Sequence, residues 1–143
     1  MHILILNGPN INLLGLREPE IYGSTTYEDL VTSLQQEATE RGITVSFYQS
    51  NHEGQLVDRI QEARFDTDAI IINPAAYTHT SIAILDALKA INLPTVEVHI
   101  SNPLEREPFR HHSFVSEYAE KTIMGQGLKG YTQALDYLVH TYQ

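Results

Sequence analysis

Short apolar runs alternate with longer amphipathic stretches along the chain. His2–Leu6 is an apolar run that ends at Asn7-Gly8-Pro9, a turn signal. Ile43–Tyr48, Ala69–Ile72 and Thr95–Ile100 have the same character, and Ala119–Met124, closed by Gly125, is a weaker example. Runs of this kind suit strands covered on both faces. Between them, Tyr27, Leu30, Val31, Leu34 and Ala38 recur at the spacing of one helix face. Thr25 and Glu28 are spaced for a capping box, and Gly42 is a C-terminal stop. Leu56, Val57, Ile60 and Ala63 form a shorter stripe, and Ile84, Leu85, Leu88 and Ile91 form another, stopped by Pro94. The last stripe is Leu128, Tyr131, Leu135, Leu138, Val139 and Tyr142.

The predicted order is β-α-β-α-β-α-β-loop-β-α. Such alternation implies an α/β fold with a parallel sheet, right-handed crossovers and helices on both faces. Five strands in 143 residues predict a flavodoxin-like doubly wound sheet of strand order 2-1-3-4-5, in a single domain over residues 1–143. Two connections are long for this architecture, Asn7 to Thr25 and Ser101 to about Tyr118. Long ordered loops in a small domain usually carry function.

Composition narrows the function. Nine basic against eighteen acidic residues leave a formal net charge of −9, which disfavours binding to a nucleic-acid backbone. The chain has no cysteine, which excludes disulfides, thiolate metal sites and a thiol nucleophile. No apolar run approaches the ~20 residues of a membrane span, and the N-terminal residues lack the basic flank and cleavage site of a secretory signal. The expectation is a cytoplasmic protein with no membrane or nucleic-acid partner.

In an open parallel sheet, ligands bind beyond the carboxyl ends of the strands, at the switch in strand order. That rule selects Asn7, Asn10 and Asn12 after the first strand, Asn73, Thr78 and His79 after the third, and Glu97, His99, Ser101 and Asn102 around the end of the fourth. The long loops add Arg17, Glu18, Glu20 and Tyr22, and Arg106, Arg110, His111 and His112. Amides, imidazoles and guanidiniums outnumber carboxylates, which suits a small polyhydroxylated anion better than a cationic ligand or a divalent metal. Asn7–Gly15 has glycine only at Gly8 and Gly15 and fits neither a dinucleotide fingerprint nor a P-loop. Gly125, Gly127 and Gly130 do spell G-x-G-x-x-G, but they follow the last strand and read as a tight turn into the final helix.

Four segments carry a resemblance: ILNGPNINLLGLREPEIYG (Ile5–Gly23), NPAAYTHTS (Asn73–Ser81), VEVHISN (Val96–Asn102) and REPFRHHS (Arg106–Ser113). With QSNHEGQLVD (Gln49–Asp58), they resemble type II 3-dehydroquinate dehydratase over essentially the whole chain. Ala75 stands where glycine is common in that family, and Leu85 where a basic residue is common. The resemblance implies removal of water from 3-dehydroquinate through an enolate, without cofactor or metal. Such a reaction needs a base, donors for the enolate oxygen, and an acid for the departing hydroxyl.

By the resemblance, Tyr22 is the base and Arg17 the cation that promotes its ionisation; a free phenol, with a pKa near ~10, is only about 0.1% ionised at pH 7. His99 is the acid. Glu97, two residues away, points to the same face of the strand and can fix its tautomer. Asn10 holds the enolate oxygen through water. Asn73, the N–H groups of Ile100 and Ser101, and the Ser101 hydroxyl take the substrate carboxylate, and His79 and Arg110 contact the ring hydroxyls. Asp86 reaches a neighbouring subunit's site in a homo-oligomer, a dodecamer built from trimers. His111 and His112 are adjacent and point apart, so at least one is a surface or packing residue.

Two other functions share some of these features. A Schiff-base dehydratase needs a lysine at the strand ends, but Lys89, Lys121 and Lys129 all lie elsewhere. A flavodoxin-like ligand-binding or electron-transfer module would share the fold without the chemistry.

Overall fold

The computed structural model describes residues 1–16 and 19–143, and their side chains except at 21 and 22. Five strands, β1 (His2–Asn7), β2 (Thr44–Gln49), β3 (Ala69–Asn73), β4 (Thr95–His99) and β5 (Lys121–Met124), form one sheet. All neighbours pair in parallel, in the order β2-β1-β3-β4-β5, as the alternating pattern predicts. The helices are α1 (Pro19–Tyr22), α2 (Tyr27–Glu40), α3 (Glu53–Glu62), α4 (Ile82–Ile91) and α5 (Lys129–Tyr142). Among the described residues, no helix is long and apolar enough to cross a membrane.

Alternation along the buried strands sorts the core into two layers. Ile3, Ile5, Ala69, Ile71, Val96 and Val98 pack on one face with Leu30 and Leu34 of α2 and Leu135 and Leu138 of α5. Leu4, Leu6, Ile70 and Ile72 pack on the other with Leu56 and Ile60 of α3 and Ile84 and Leu88 of α4. The same alternation extends to the polar residues at the strand ends. Asn7 and Asn73 therefore face α5, whereas Glu97 and His99 face the α3/α4 side.

Three local features differ from the sequence pattern. The capping box of α2 lies one residue later than Thr25 and Glu28. Thr26 Oγ1 accepts the Asp29 N–H at 3.1 Å, and the Asp29 carboxylate accepts the Thr26 N–H at 3.2 Å. Two consecutive threonines offer equivalent caps, and burial of Leu30 and Leu34 sets the register between them. Strand β5 starts at Lys121, because the Ala119 N–H still closes a turn onto the Val115 carbonyl at 2.9 Å. The long connections are also more structured than loops: the first holds α1, and the second holds short 3-10 turns at Pro103–Glu105, Pro108–Arg110 and Val115–Glu117. Pro19 opens α1, and Gly23, with φ +78°, ends it by donating its N–H to the Pro19 carbonyl.

The strand-order switch lies between β1 and β3, and glycine closes it. The Gly8 N–H donates to the Asn73 carbonyl at 2.8 Å, and a Cβ at position 8 would lie 2.3 Å from the Pro74 carbonyl oxygen. We therefore expect Gly8→Ala to destabilise the fold by about 2–3 kcal/mol, the usual cost of overpacking against backbone. Urea unfolding reads this as a lower midpoint at unchanged slope.

Candidate active site

At the carboxyl ends of β1, β3 and β4 lies an open cleft, walled by residues from each of these strand ends and from the loop after β4. Two buried polar networks, one on each side of the sheet, hold its walls.

The first is centred on Glu97, which has no solvent exposure. One carboxylate oxygen accepts from His99 Nε2, from Ser113 Oγ at 2.8 Å and from Thr78 Oγ1 at 3.1 Å. The other accepts from Ser116 Oγ at 2.5 Å and Thr122 Oγ1 at 3.3 Å. Burial pushes the carboxyl up, but hydrogen bonding to His99, the His99 charge and the Ser116 and Ser113 hydroxyls outweigh it and hold Glu97 below the ordinary carboxylate value. An ionised Glu97 orients His99. With Nε2–H tied to the carboxylate, Nδ1 is the nitrogen left to exchange a proton at the cleft, whose wall His99 forms.

The second network joins the ends of β1 and β3 to α5. Asn7 and Asn73 are register partners, and both meet the hydroxyl of Tyr131, which is completely buried. Asn73 Nδ2 donates to that oxygen at 2.9 Å, and the Tyr131 hydroxyl donates to Asn7 Oδ1 at 2.6 Å. Asn73 Oδ1 accepts the Ala75 N–H at 3.1 Å. Ala75 adopts φ +53°, a left-handed conformation that costs a residue with a Cβ roughly 1–2 kcal/mol. Glycine, common at this place in the family resembled, would remove that cost.

The loops complete the walls. Asn10 also has positive φ, at +70°, and its N–H donates to Asn51 Oδ1 at 3.0 Å. Gln49 Nε2 ties the same turn through the Gly8 carbonyl at 3.1 Å. The Gln49–Asn51 segment thus clamps the Asn10 loop, a role its sequence did not suggest. The Gly125 and Gly127 N–H groups donate to the Ser101 and Ile100 carbonyls at 3.0 and 3.1 Å. Because a trans peptide sets its C=O and N–H antiparallel, the glycine turn also directs the Ser101 N–H away from itself. His79 Nδ1 donates to the His112 carbonyl at 2.8 Å. Burial pushes the His79 imidazole down, and His99 and Arg110 add to this against the opposing pull of that carbonyl and Glu97. Neutral His79 therefore presents Nε2 as an acceptor. Arg110 Nε is held by Glu107 at 2.5 Å.

Asn10, Asn73, His79, His99, Ile100, Ser101 and Arg110 thus meet at one cleft, with Glu97 directly behind His99. Arg106, one of the loop candidates named from the sequence without a specific role, also lines it and donates to Ser101 Oγ at 3.4 Å. Asp86 is on the exposed side of α4 and away from the cleft within one chain. Arg17 lies outside the described residues, and so does the side chain of Tyr22, whose backbone ends α1. His111 reaches the Arg106 carbonyl through Nε2 at 3.1 Å, and His112 packs edge-on against Phe114, so both act within the loop. None of the three lysines lines the cleft.

A family model described as dehydroquinase class II matches residues 1–139. The chain is 55% identical over 139 residues to a 3-dehydroquinate dehydratase of Ralstonia pickettii, covering 96% of this chain and 90% of that protein. It is 54% identical over 141 residues to a catabolic 3-dehydroquinase of Aspergillus clavatus, covering 99% and 94%. A crystal structure of a type II dehydroquinase from Butyrivibrio crossotus superposes with a TM-score of 0.95 at 53% identity, covering 96% of this chain and 97% of that one.

Glu97 makes the fold acid-sensitive. Its folded pKa lies below the ordinary 4.5, so its stabilisation is full above about pH 5 and drains away as pH falls through the folded value. Glu97→Gln is expected to flatten this part of the stability profile. Urea midpoints between pH 3 and 7 should fall steeply toward acid in the wild type and less steeply in the variant.

Proposed function

The chain belongs to the class II dehydroquinase family, and we propose that it removes water from 3-dehydroquinate to give 3-dehydroshikimate with its own side chains, as one catalytic domain over residues 1–143. The observation that carries this reading is the buried, five-donor carboxylate of Glu97 fixing His99 at the cleft wall. An acid so held can protonate a leaving hydroxyl at a set place. A binding or electron-transfer module has no use for it.

The steps balance. A Tyr22 phenolate takes the proton beside the ketone, and the C–H electron pair moves into an enolate. Arg17 supplies the cation that makes a phenolate accessible near neutral pH. Asn10, through a bound water, donates to the enolate oxygen. The enolate then collapses and breaks the C–O bond, while His99 gives its Nδ1 proton to the departing hydroxyl, which leaves as water. Tyr22 ends protonated and His99 deprotonated, and exchange with solvent restores both. The substrate is bound through Asn73, the Ile100 and Ser101 N–H groups and the Ser101 hydroxyl at its carboxylate. His79 accepts from a ring hydroxyl, and Arg110 donates to one. Arg106 adds positive charge to a cleft that takes an anion in a protein of net charge −9. Acid, base and enolate donors together suffice for this elimination, so the reading invokes no cofactor.

We extend the proposal to assembly and location: a cytoplasmic homo-oligomer, built from trimers into a dodecamer, in which Asp86 reaches the neighbouring subunit's cleft. Ile82, 54% exposed, sits one turn from Asp86 on the same face of α4, which supports a partner there.

Appearance of the enone absorbance on mixing with 3-dehydroquinate tests the activity; a purified protein that produces none would refute it. Tyr22→Phe should lower kcat by at least ~10²-fold and leave substrate affinity within a few-fold, the pattern of a lost transition-state interaction. Turnover near wild type would remove Tyr22 from the mechanism. Asp86→Ala should weaken inhibitor binding. Dissociating and reassembling Asp86→Ala with Tyr22→Phe subunits should restore part of the activity, because some interfaces then pair an intact Tyr22 with an intact Asp86. No recovery would return Asp86 to a solvated helix charge.

A further inference from the structure

We propose that Tyr131 is a positioning residue that aims the Asn73 amide at the substrate carboxylate, so that helix α5 takes part in choosing what the cleft binds. This rests on the reading of Asn73 as part of the carboxylate-binding group.

The Ala75 N–H can only donate, so Asn73 must turn Oδ1 toward it, and it does so at 3.1 Å. Nδ2 is then on the other side. One of its two hydrogens goes to the Tyr131 oxygen at 2.9 Å, and a single N–H remains for the cleft that Asn73 lines. Tyr131, already an acceptor, has one proton to place and gives it to Asn7 Oδ1. The distances agree with this polarity: 2.9 Å is typical of N–H···O, and 2.6 Å of O–H···O. Burial also pushes the phenol's pKa upward, so Tyr131 keeps its proton at any working pH.

Packing alone does not account for this arrangement. Asn7 and Asn73 are 0% and 3% exposed, and Tyr131 is 0% exposed. An apolar trio could fill the same space. Asn7 also sits against the Tyr27 phenol and, opposing the larger upward push of burial, pulls its pKa down, although among the described residues Nδ2 makes no hydrogen bond of ordinary geometry. What the polar trio does provide is a fixed amide at the cleft. Without the phenol oxygen, Asn73 loses the acceptor that holds its plane, and its second N–H is free to turn from the cleft.

The test separates recognition of charge from general loosening. In Tyr131→Phe, KM for 3-dehydroquinate and the inhibition constant of 3-dehydroshikimate should both rise by about tenfold, the scale of one hydrogen bond to a charged group. The inhibition constant of 3-dehydroshikimate methyl ester should change less than about twofold and kcat less than about threefold, because neither depends on the carboxylate charge. Equal weakening of acid and ester would assign Tyr131 to packing and overturn the proposal, as would an unchanged constant for the acid. If Tyr131→Phe does not fold, Asn7→Ala serves instead. It leaves the Tyr131 proton without its acceptor and should give the same acid-over-ester loss at smaller size; no preferential loss would again overturn the proposal. Asn73→Ala is the reference. If it leaves the preference for acid over ester intact, the carboxylate role of Asn73 itself fails, an outcome distinguishable from failure of Tyr131 alone.

Discussion

A carboxylate removed from water must be matched by donors, and much of the cleft follows from satisfying Glu97. Its five side-chain donors come from β4, β5, the segment after β3 and the long loop after β4. Each must be in place before the charge is tolerable. One requirement thus ties Ser113 and Ser116 of the loop to the sheet, fixes the His99 ring and brings the loop's arginines to the cleft mouth. The neutral His79 beside them follows from the same crowding of positive charge and burial.

The sheet separates the two tasks of the site. Because side chains alternate along a buried strand, Glu97 and His99 leave one face, and Asn7 and Asn73 the other. In the proposed mechanism, proton delivery is supported from the α3/α4 side and anion recognition from the α5 side. The two meet only where the strands end, and Gly8 lets β1 and β3 close there without a side chain between them. The glycine turn after β5 joins the same edge by holding the carbonyls of Ile100 and Ser101.

The architecture was legible in the sequence because buried parallel strands and amphipathic helices leave strong periodic signals. Strand order, both core layers and the E-x-H pair on one face follow from that periodicity. Boundaries were less legible where neighbours are chemically alike, as with Thr25 and Thr26, or where a turn runs into a strand, as at Ala119. The site divides in the same way. His99, Asn73, His79 and Arg110 stand at strand ends or in matched motifs and could be named. Ser113, Ser116 and Thr122 could not, because a hydroxyl has no pattern of its own and gains meaning only from the carboxylate it faces. Tyr131 was legible only as a member of an apolar stripe; its ring does lie in the core, but its oxygen holds Asn73 at the cleft wall. Gln49 and Asn51 belong to a recognisable motif, yet only the fold places them under Asn10.

The hydrogen bond between Tyr131 and Asn7 joins positions 124 residues apart, near opposite ends of the chain. During synthesis, β1, β2 and β3 can pair as soon as they emerge, but Asn7 and Asn73 then sit at the strand tips with no phenol to order them. This side of the pocket is therefore complete only once the final helix has docked on the sheet. A chain without α5 would keep the proposed acid and base side chains, yet leave Asn73, the proposed carboxylate donor, without the phenol that orients it.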